Sequence, residues 1–286
     1  MTTISVFNKK NIIRFLIAPL LSIFTVLFIV LWMNNGSISR TNYWSVQKDL
    51  FLDLNALLSQ FPSFWLNITM LGDALIFLPI LSFLIILKPR AWAAIFGAVP
   101  LATLLSHGGK MLFSVPRPAA VLDNDTFNII GGTLNMSNSL PSGHTISVFT
   151  GITAIVGVYI ISAEKRHYLL WILIGFIFAS LLSISRVAVG AHWPLDVVVG
   201  AALGYVAGLS GILLTHLYNR WWKWLEQTKY QYIWGILMLV WSVAIFFDAQ
   251  SLNLTILWLS ASSGIVVSIC LLSNCVLKRK NNKIPA

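Results

Sequence analysis

The chain has 286 residues, of which 57% are hydrophobic and only 10% charged, and its mean hydropathy is +0.82. That composition excludes a water-soluble globule and describes an integral membrane protein whose helices carry most of the length. A formal charge of +10 would suit a nucleic-acid partner only if the basic residues formed a patch, and they are distributed instead as a membrane topology requires.

Eight apolar segments, each near the ~20 residues needed to cross a bilayer, are predicted over 12–33, 64–87, 91–113, 145–163, 168–185, 195–217, 231–248 and 253–277. Backbone groups in lipid must bond within their own segment, so the expected fold class is all-α, a polytopic transmembrane helix bundle. The first segment is read as a retained helix, because no clear small-residue cleavage site follows it. Between it and the second, Tyr43, Val46, Leu50, Leu54, Leu57, Leu58 and Phe61 recur at helical spacing, with Phe51 at the stripe's edge. Lys48, Asp49, Asn55, Ser59 and Gln60 take the other faces, and Gln47 interrupts the apolar side. This predicts an amphipathic helix on the outer membrane–water interface, either a packed lid or an aid to lipid access. Asp73 falls inside the second segment, where a charge is costly, and is read as a structural residue, protonated or paired with a neighbouring helix. The polar loop 119–140 carries Asp123 and Asp125, which would repel an anion at close range and are expected in solvent. The last two segments read as an appended hairpin for packing or oligomerisation. Cys270 and Cys275, in or near the last one, are read as small packing residues, with no disulfide framework.

Lysine and arginine orient the bundle. With the N-terminus cytoplasmic, fourteen of the nineteen lie on the inner side, as the positive-inside rule requires. Both termini are then cytoplasmic. The outer five are Arg40, Lys48, Lys110, Arg117 and Arg186, and three of these fall in polar islands on that outer side.

The first island runs from Lys110 to Pro118. If helical, Lys110 and Arg117 share a face ~10 Å apart along the axis, and Pro116 and Pro118 would bend the chain and bring the cations closer. The second is Pro141-Ser142-Gly143-His144, at the start of the fourth segment, where free N–H groups favour an anion. The third, Ser185-Arg186 through His192 to Asp196, joins two long apolar segments. A carboxylate four residues after His192 can accept one ring N–H and leave the other nitrogen free to attack an electrophile. Together the islands give one mouth three cations, two histidines, a helix N-terminus and an aspartate. That set fits a phosphate: Lys110, Arg117 and Arg186 neutralise charge, His192 attacks phosphorus, and His144 protonates the leaving oxygen and then activates water. No metal or cofactor is needed, and the carboxylates are too few for a hard-cation cage.

Lys110-x6-Arg117-Pro118, Pro141-Ser142-Gly143-His144 and Ser185-Arg186-x5-His192-x3-Asp196 resemble the three-part signature of the type 2 phosphatidic acid phosphatase superfamily, complete and in order. The resemblance implies His192 as the phosphorylated nucleophile, Asp196 as its partner and His144 as acid/base. It also implies that Lys110, Arg117, Ser142, Gly143 and Arg186 bind phosphate. It further implies a six-helix catalytic core within residues 1–217, with the signature at 110–196. Residues 218–286, a hairpin and basic tail, depart from a minimal member. Plainer readings compete: His107, His167 and His216 as hydrogen-bonded interface residues, the three cations as snorkelling anchors, and Ser142 as a helix cap. The expected function is hydrolysis of a phosphate or diphosphate from an envelope lipid in a bacterial inner membrane. The site faces the periplasm, and undecaprenyl diphosphate ranks first as substrate. The alternatives are a lipid A, phosphatidylglycerophosphate or phosphatidic acid phosphatase, lipid-to-lipid phosphoryl transfer, and, from another class, a non-catalytic lipid transporter.

Overall fold

The computed structural model describes residues 9–33, 39–162 and 167–281, and every regular element among them is helical. The helices are α1 (Lys9–Met33), α2 (Arg40–Ser45), α3 (Lys48–Leu58), α4 (Pro62–Met70), α5 (Ala74–Leu81), α6 (Leu84–Leu87) and α7 (Pro89–Phe113). They continue with α8 (Pro118–Val121), α9 (Gly143–Ser162), α10 (Tyr168–Ala188), α11 (Pro194–Leu217), α12 (Asn219–Glu226), α13 (Thr228–Leu252) and α14 (Thr255–Asn281). Proline opens α4, α7, α8 and α11, where its fixed φ suits a helix and its missing N–H costs nothing. Seven helices are long and apolar enough to cross a membrane, and α4 with α5 makes an eighth if that bent pair is one span. The protein is an all-α integral membrane bundle.

The central packing runs through α7, α9 and α11. Lipid offers no hydrophobic drive between helices, so close packing of small residues has to hold them. Ala94, Gly97 and Ala98 of α7 meet Gly211 of α11, while Gly204 and Gly208 of α11 face Ile146, Thr150 and Thr153 of α9. The hydroxyl of Thr150 also donates to Gly204 O across that seam, at 3.2 Å. The N-terminal half of α10, by contrast, exposes Leu169, Trp171, Leu173 and Phe176.

Several expectations need correction. The segment 64–87 is not one helix: α4 and α5 meet at 73°. Asp73 is the cause. Its backbone is extended and its carboxylate accepts Leu75 N at 2.8 Å, capping α5. Asp73 therefore sits at a helix start rather than inside one, and its carboxylate is occupied by a backbone donor.

The interfacial helix is turned over. Its buried face is Tyr43, Gln47, Phe51, Asn55 and Ser59, spaced by four, while Leu50, Leu57 and Phe61 are more than half exposed. The surface beneath it is irregular chain rather than helix flank, and the backbone groups there need polar partners. Asn55 supplies them, donating to Asn128 O, Val187 O and Ala188 O and accepting Asn128 N.

Lys110 and Arg117 do not share a helix. α7 ends at Phe113, Ser114 turns left-handed at φ 46°, and Arg117 is extended. Residues 115–117 instead pair with the far end of the loop through Arg117 N to Met136 O and Ser139 N to Val115 O. As expected, Asp123 and Asp125 are exposed. Cys270 is a free, exposed thiol on α14 rather than a packing residue, and the side chain of Cys275 lies outside the described residues.

Candidate active site

The site forms where α7 and α10 end and α9 and α11 begin. Arg186 lies on the last turn of α10, and its carbonyl accepts both Ala191 N at 3.0 Å and His192 N at 3.1 Å, folding the following loop back on the helix. Pro194 then starts α11, which puts Asp196 in the first turn. The Asp196 carboxylate reaches back to accept Trp193 N at 3.0 Å. That bond points Oδ2 at His192 Nδ1, 3.4 Å away. An ionised carboxylate only accepts, so Nδ1 carries the proton and Nε2 is left bare.

Two hydroxyls complete the carboxylate's shell. Ser139 donates to Oδ2 at 2.5 Å, and Tyr43 donates to Oδ1 at 3.0 Å. Burial first, then the charge of Asp196, raises the Tyr43 phenol well above its ordinary range, so it stays protonated and donates. Both His192 and Asp196 are buried, at 1% and 0% exposure. Burial, and then Arg117, Arg186, His144 and Lys110 in that order, hold the His192 imidazole well below its usual range. Those four groups, from four separate elements, therefore lie close enough to act on a single ring.

Both arginines are anchored. Arg117 donates through Nε to Asn138 Oδ1 at 2.7 Å and through a terminal nitrogen to Ala191 O at 3.1 Å. Arg186 donates to Thr69 Oγ1 at 2.6 Å, while its buried Nε has no partner among the described residues. A buried guanidinium N–H left unpaired is expensive, and an anion would satisfy it. Ser142 caps α9, accepting the Thr145 hydroxyl at 3.0 Å, and its own N–H donates to Asp196 O at 3.2 Å. Lys110 Nζ comes within 3.3 Å of where a Cβ on Gly143 would sit. His144 lies on the first turn of α9 against Gly72, where an added Cβ would stand 2.9 Å from His144 Cβ. Only glycine fits there, so the α4–α5 bend forms one wall of the site.

The eight residues expected from the sequence thus lie at one end of the bundle. His107 is exposed and bonded to Thr103 O on its own helix, and it is absent from the groups acting on His192. Sequence reasoning missed Tyr43, Thr69, Asn138 and Ser139. Asn138 and Ser139 lie just before the second island, separated from it by Leu140, and that proximity is the signal that marks them. Thr69 sits in an apolar stretch and Tyr43 reads as one more member of the interfacial stripe, so neither gives a local signal. Among the described residues, no three His, Cys, Asp or Glu side chains gather as a metal would require. An apolar cavity of about 200 Å³ between α5, α7 and α9, lined by Phe77, Val99, Ala102 and Ile146, ends at Ser106 and Gly143 beside Lys110.

The sequence pattern of the PAP2 superfamily matches residues 91–223. This chain carries a PAP2 superfamily domain. The matched range holds all eight expected site residues and leaves Tyr43, Thr69 and Gly72 outside it. A Sulfolobus acidocaldarius protein named undecaprenyl-diphosphatase is 32% identical over 140 residues, 46% of this chain and 60% of its own length. A Porphyromonas gingivalis protein named lipid A 1-phosphatase is 33% identical over 97 residues, 34% of this chain and 19% of its own length. The bacitracin transport permease protein BcrC of Bacillus licheniformis is 38% identical over 74 residues, 26% of this chain and 32% of its own length. The PAP2 chain thus spans three fifths or less of each of these relatives. A crystal structure of Aquifex aeolicus LpxE aligns at 31% identity and a TM-score of 0.49, covering 59% of this chain and 95% of that one.

Proposed function

We propose that the protein is a membrane lipid phosphatase that removes a phosphate or diphosphate from an envelope lipid through a phosphohistidine on His192. The observation that carries this reading is the buried His192–Asp196 pair, with Lys110, Arg117 and Arg186 close enough to act on its imidazole. His192 Nε2 attacks phosphorus, and the bond from phosphorus to the lipid-side oxygen breaks. His144 gives that oxygen its proton. The same histidine then takes a proton from water, whose oxygen displaces His192 and releases phosphate. Asp196 holds the Nδ1 proton and stabilises the positive ring as it forms. Lys110, Arg117, Arg186, Ser142 and Gly143 bind the phosphate oxygens, with the unpaired Arg186 Nε as one donor.

Undecaprenyl diphosphate is the preferred substrate, supported by the name of the Sulfolobus relative. The apolar cavity ending beside Lys110 would take the start of a lipid chain. The name of the Porphyromonas relative favours lipid A as the second candidate. We take residues 1–217 as the catalytic unit and 218–286 as an appended part. Both termini are taken as cytoplasmic in a bacterial inner membrane and the site as periplasmic, a reading supported by the fourteen basic residues assigned to the inner side.

The test is phosphate release by detergent-purified protein from a panel of phosphorylated lipids, with chelator present. Wild type is expected to release phosphate from a lipid diphosphate. His192→Ala should lose release by at least ~10³-fold and still fold. A transporter would move lipid equally well in both proteins.

A further inference from the structure

Tyr43, Gln47, Phe51 and Asn55 lie on one face of α2–α3, and each meets a different part of residues 187–196. Tyr43 donates to Asp196 Oδ1 at 3.0 Å. Gln47 accepts Leu195 N at 2.8 Å through Oε1 and ties back to Tyr43 O through Nε2 at 2.8 Å. Phe51 packs edge-on against Trp193 with centroids 5.1 Å apart, and Asn55 binds the carbonyls of Val187 and Ala188. All four residues lie outside the range that the PAP2 pattern covers.

We infer that α2–α3 is a splint for the nucleophile loop, and that Tyr43 is a positioning residue that fixes the Asp196 carboxylate and, through it, the line of attack of His192. The inference rests on the phosphatase reading above. Asp196 Oδ2 is shared by Ser139, Trp193 N and His192 Nδ1, and all three lie on one side of the carboxylate. Tyr43 alone among the hydrogen bonds described holds Oδ1. Without it the carboxylate is free to pivot about its Cβ–Cγ bond. The imidazole follows the oxygen it donates to, so Nε2 swings off the axis of in-line attack. The charged groups around the pair, Arg117, Arg186, Lys110 and His144, cannot correct that swing, because none of them bonds the imidazole.

The experiment compares wild type, Tyr43→Phe, Asp196→Asn and the double variant on the lipid that wild type hydrolyses. Phenylalanine keeps the ring in its cluster with Val26, Phe51 and Trp193, so thermal unfolding in detergent should be little changed. Tyr43→Phe should lower kcat about tenfold and leave KM within about twofold, because the lost bond orients the attacking group rather than the substrate. In the Asp196→Asn background the same change should cost nothing further, since the two residues act as a unit. A wild-type kcat in Tyr43→Phe would overturn the inference. So would a loss carried by KM, or one that adds in full to that of Asp196→Asn. If instead wild type and His192→Ala release equally little phosphate from every lipid, the phosphatase reading itself falls, and the splint's catalytic role with it.

Discussion

Within the site, single atoms decide the chemistry. In the proposed mechanism His192 attacks as a neutral imidazole, and burial together with four neighbouring cationic or basic groups opposes its protonation. A histidine held below the usual ~6.5 remains neutral as the pH falls through that value and gains its proton only at lower pH. The acidic limb of kcat/KM, read from a pH–rate profile on a lipid whose own ionisation is known, is therefore expected below pH ~6.5. A limb at or above that value would contradict the arrangement. The neighbours that secure each group come from far along the chain. Thr69 holds Arg186 from 117 residues away, and Tyr43 holds Asp196 from 153. Hydroxyls in apolar stretches announce nothing until the fold gives them a partner.

At the level of elements, the broken span α4–α5 is the feature that packing rather than periodicity explains. Its apolar run reads as one membrane helix, yet Asp73 caps a new start and Gly72 lets the chain pass over His144. Inside α5, Pro79 cannot donate to Leu75 O, and that carbonyl is satisfied instead by Trp241 Nε1 from α13 at 2.9 Å. Ser260 of α14 donates to Ile76 O at 2.8 Å, and Asn67 of α4 accepts Ile256 N at 3.0 Å. The C-terminal hairpin thus braces the two halves of the break. Trp241→Phe keeps the aromatic bulk and removes one of these bonds, at a cost of about 1 kcal/mol. A lower unfolding midpoint in detergent, with KM little changed, is the expected result. The interfacial helix shows the same limit of pattern reading. Leu50 and Leu57 of its stripe mark the outward face, because its inward face must meet bare backbone that leucine cannot bond.

Across the whole molecule, helix direction brings the site together. α7 and α10 end where α9 and α11 begin, so residues from 110 to 196 meet at one end although they come from four helices and the loops beside them. The basic loops lie away from that end in the proposed topology. A cysteine replacing exposed Asp125, in the loop beside the site, should react with a membrane-impermeant maleimide on intact cells. One replacing Lys223, on α12, should react only after permeabilisation. The reverse pattern would place the site in the cytoplasm.

By itself the sequence determined the membrane class, the position of nearly every long helix and the eight residues that gather at the mouth. Each of these follows from local composition, or from short motifs whose spacing survives folding. The tertiary structure decided what local pattern cannot carry: where the second span breaks, which way the interfacial helix faces, and which hydroxyls and amides hold the charged groups. Those choices depend on satisfying buried polar atoms with partners far along the chain, 184 residues away for Ser260 and Ile76 O, and such a partner exists only once the chain has folded.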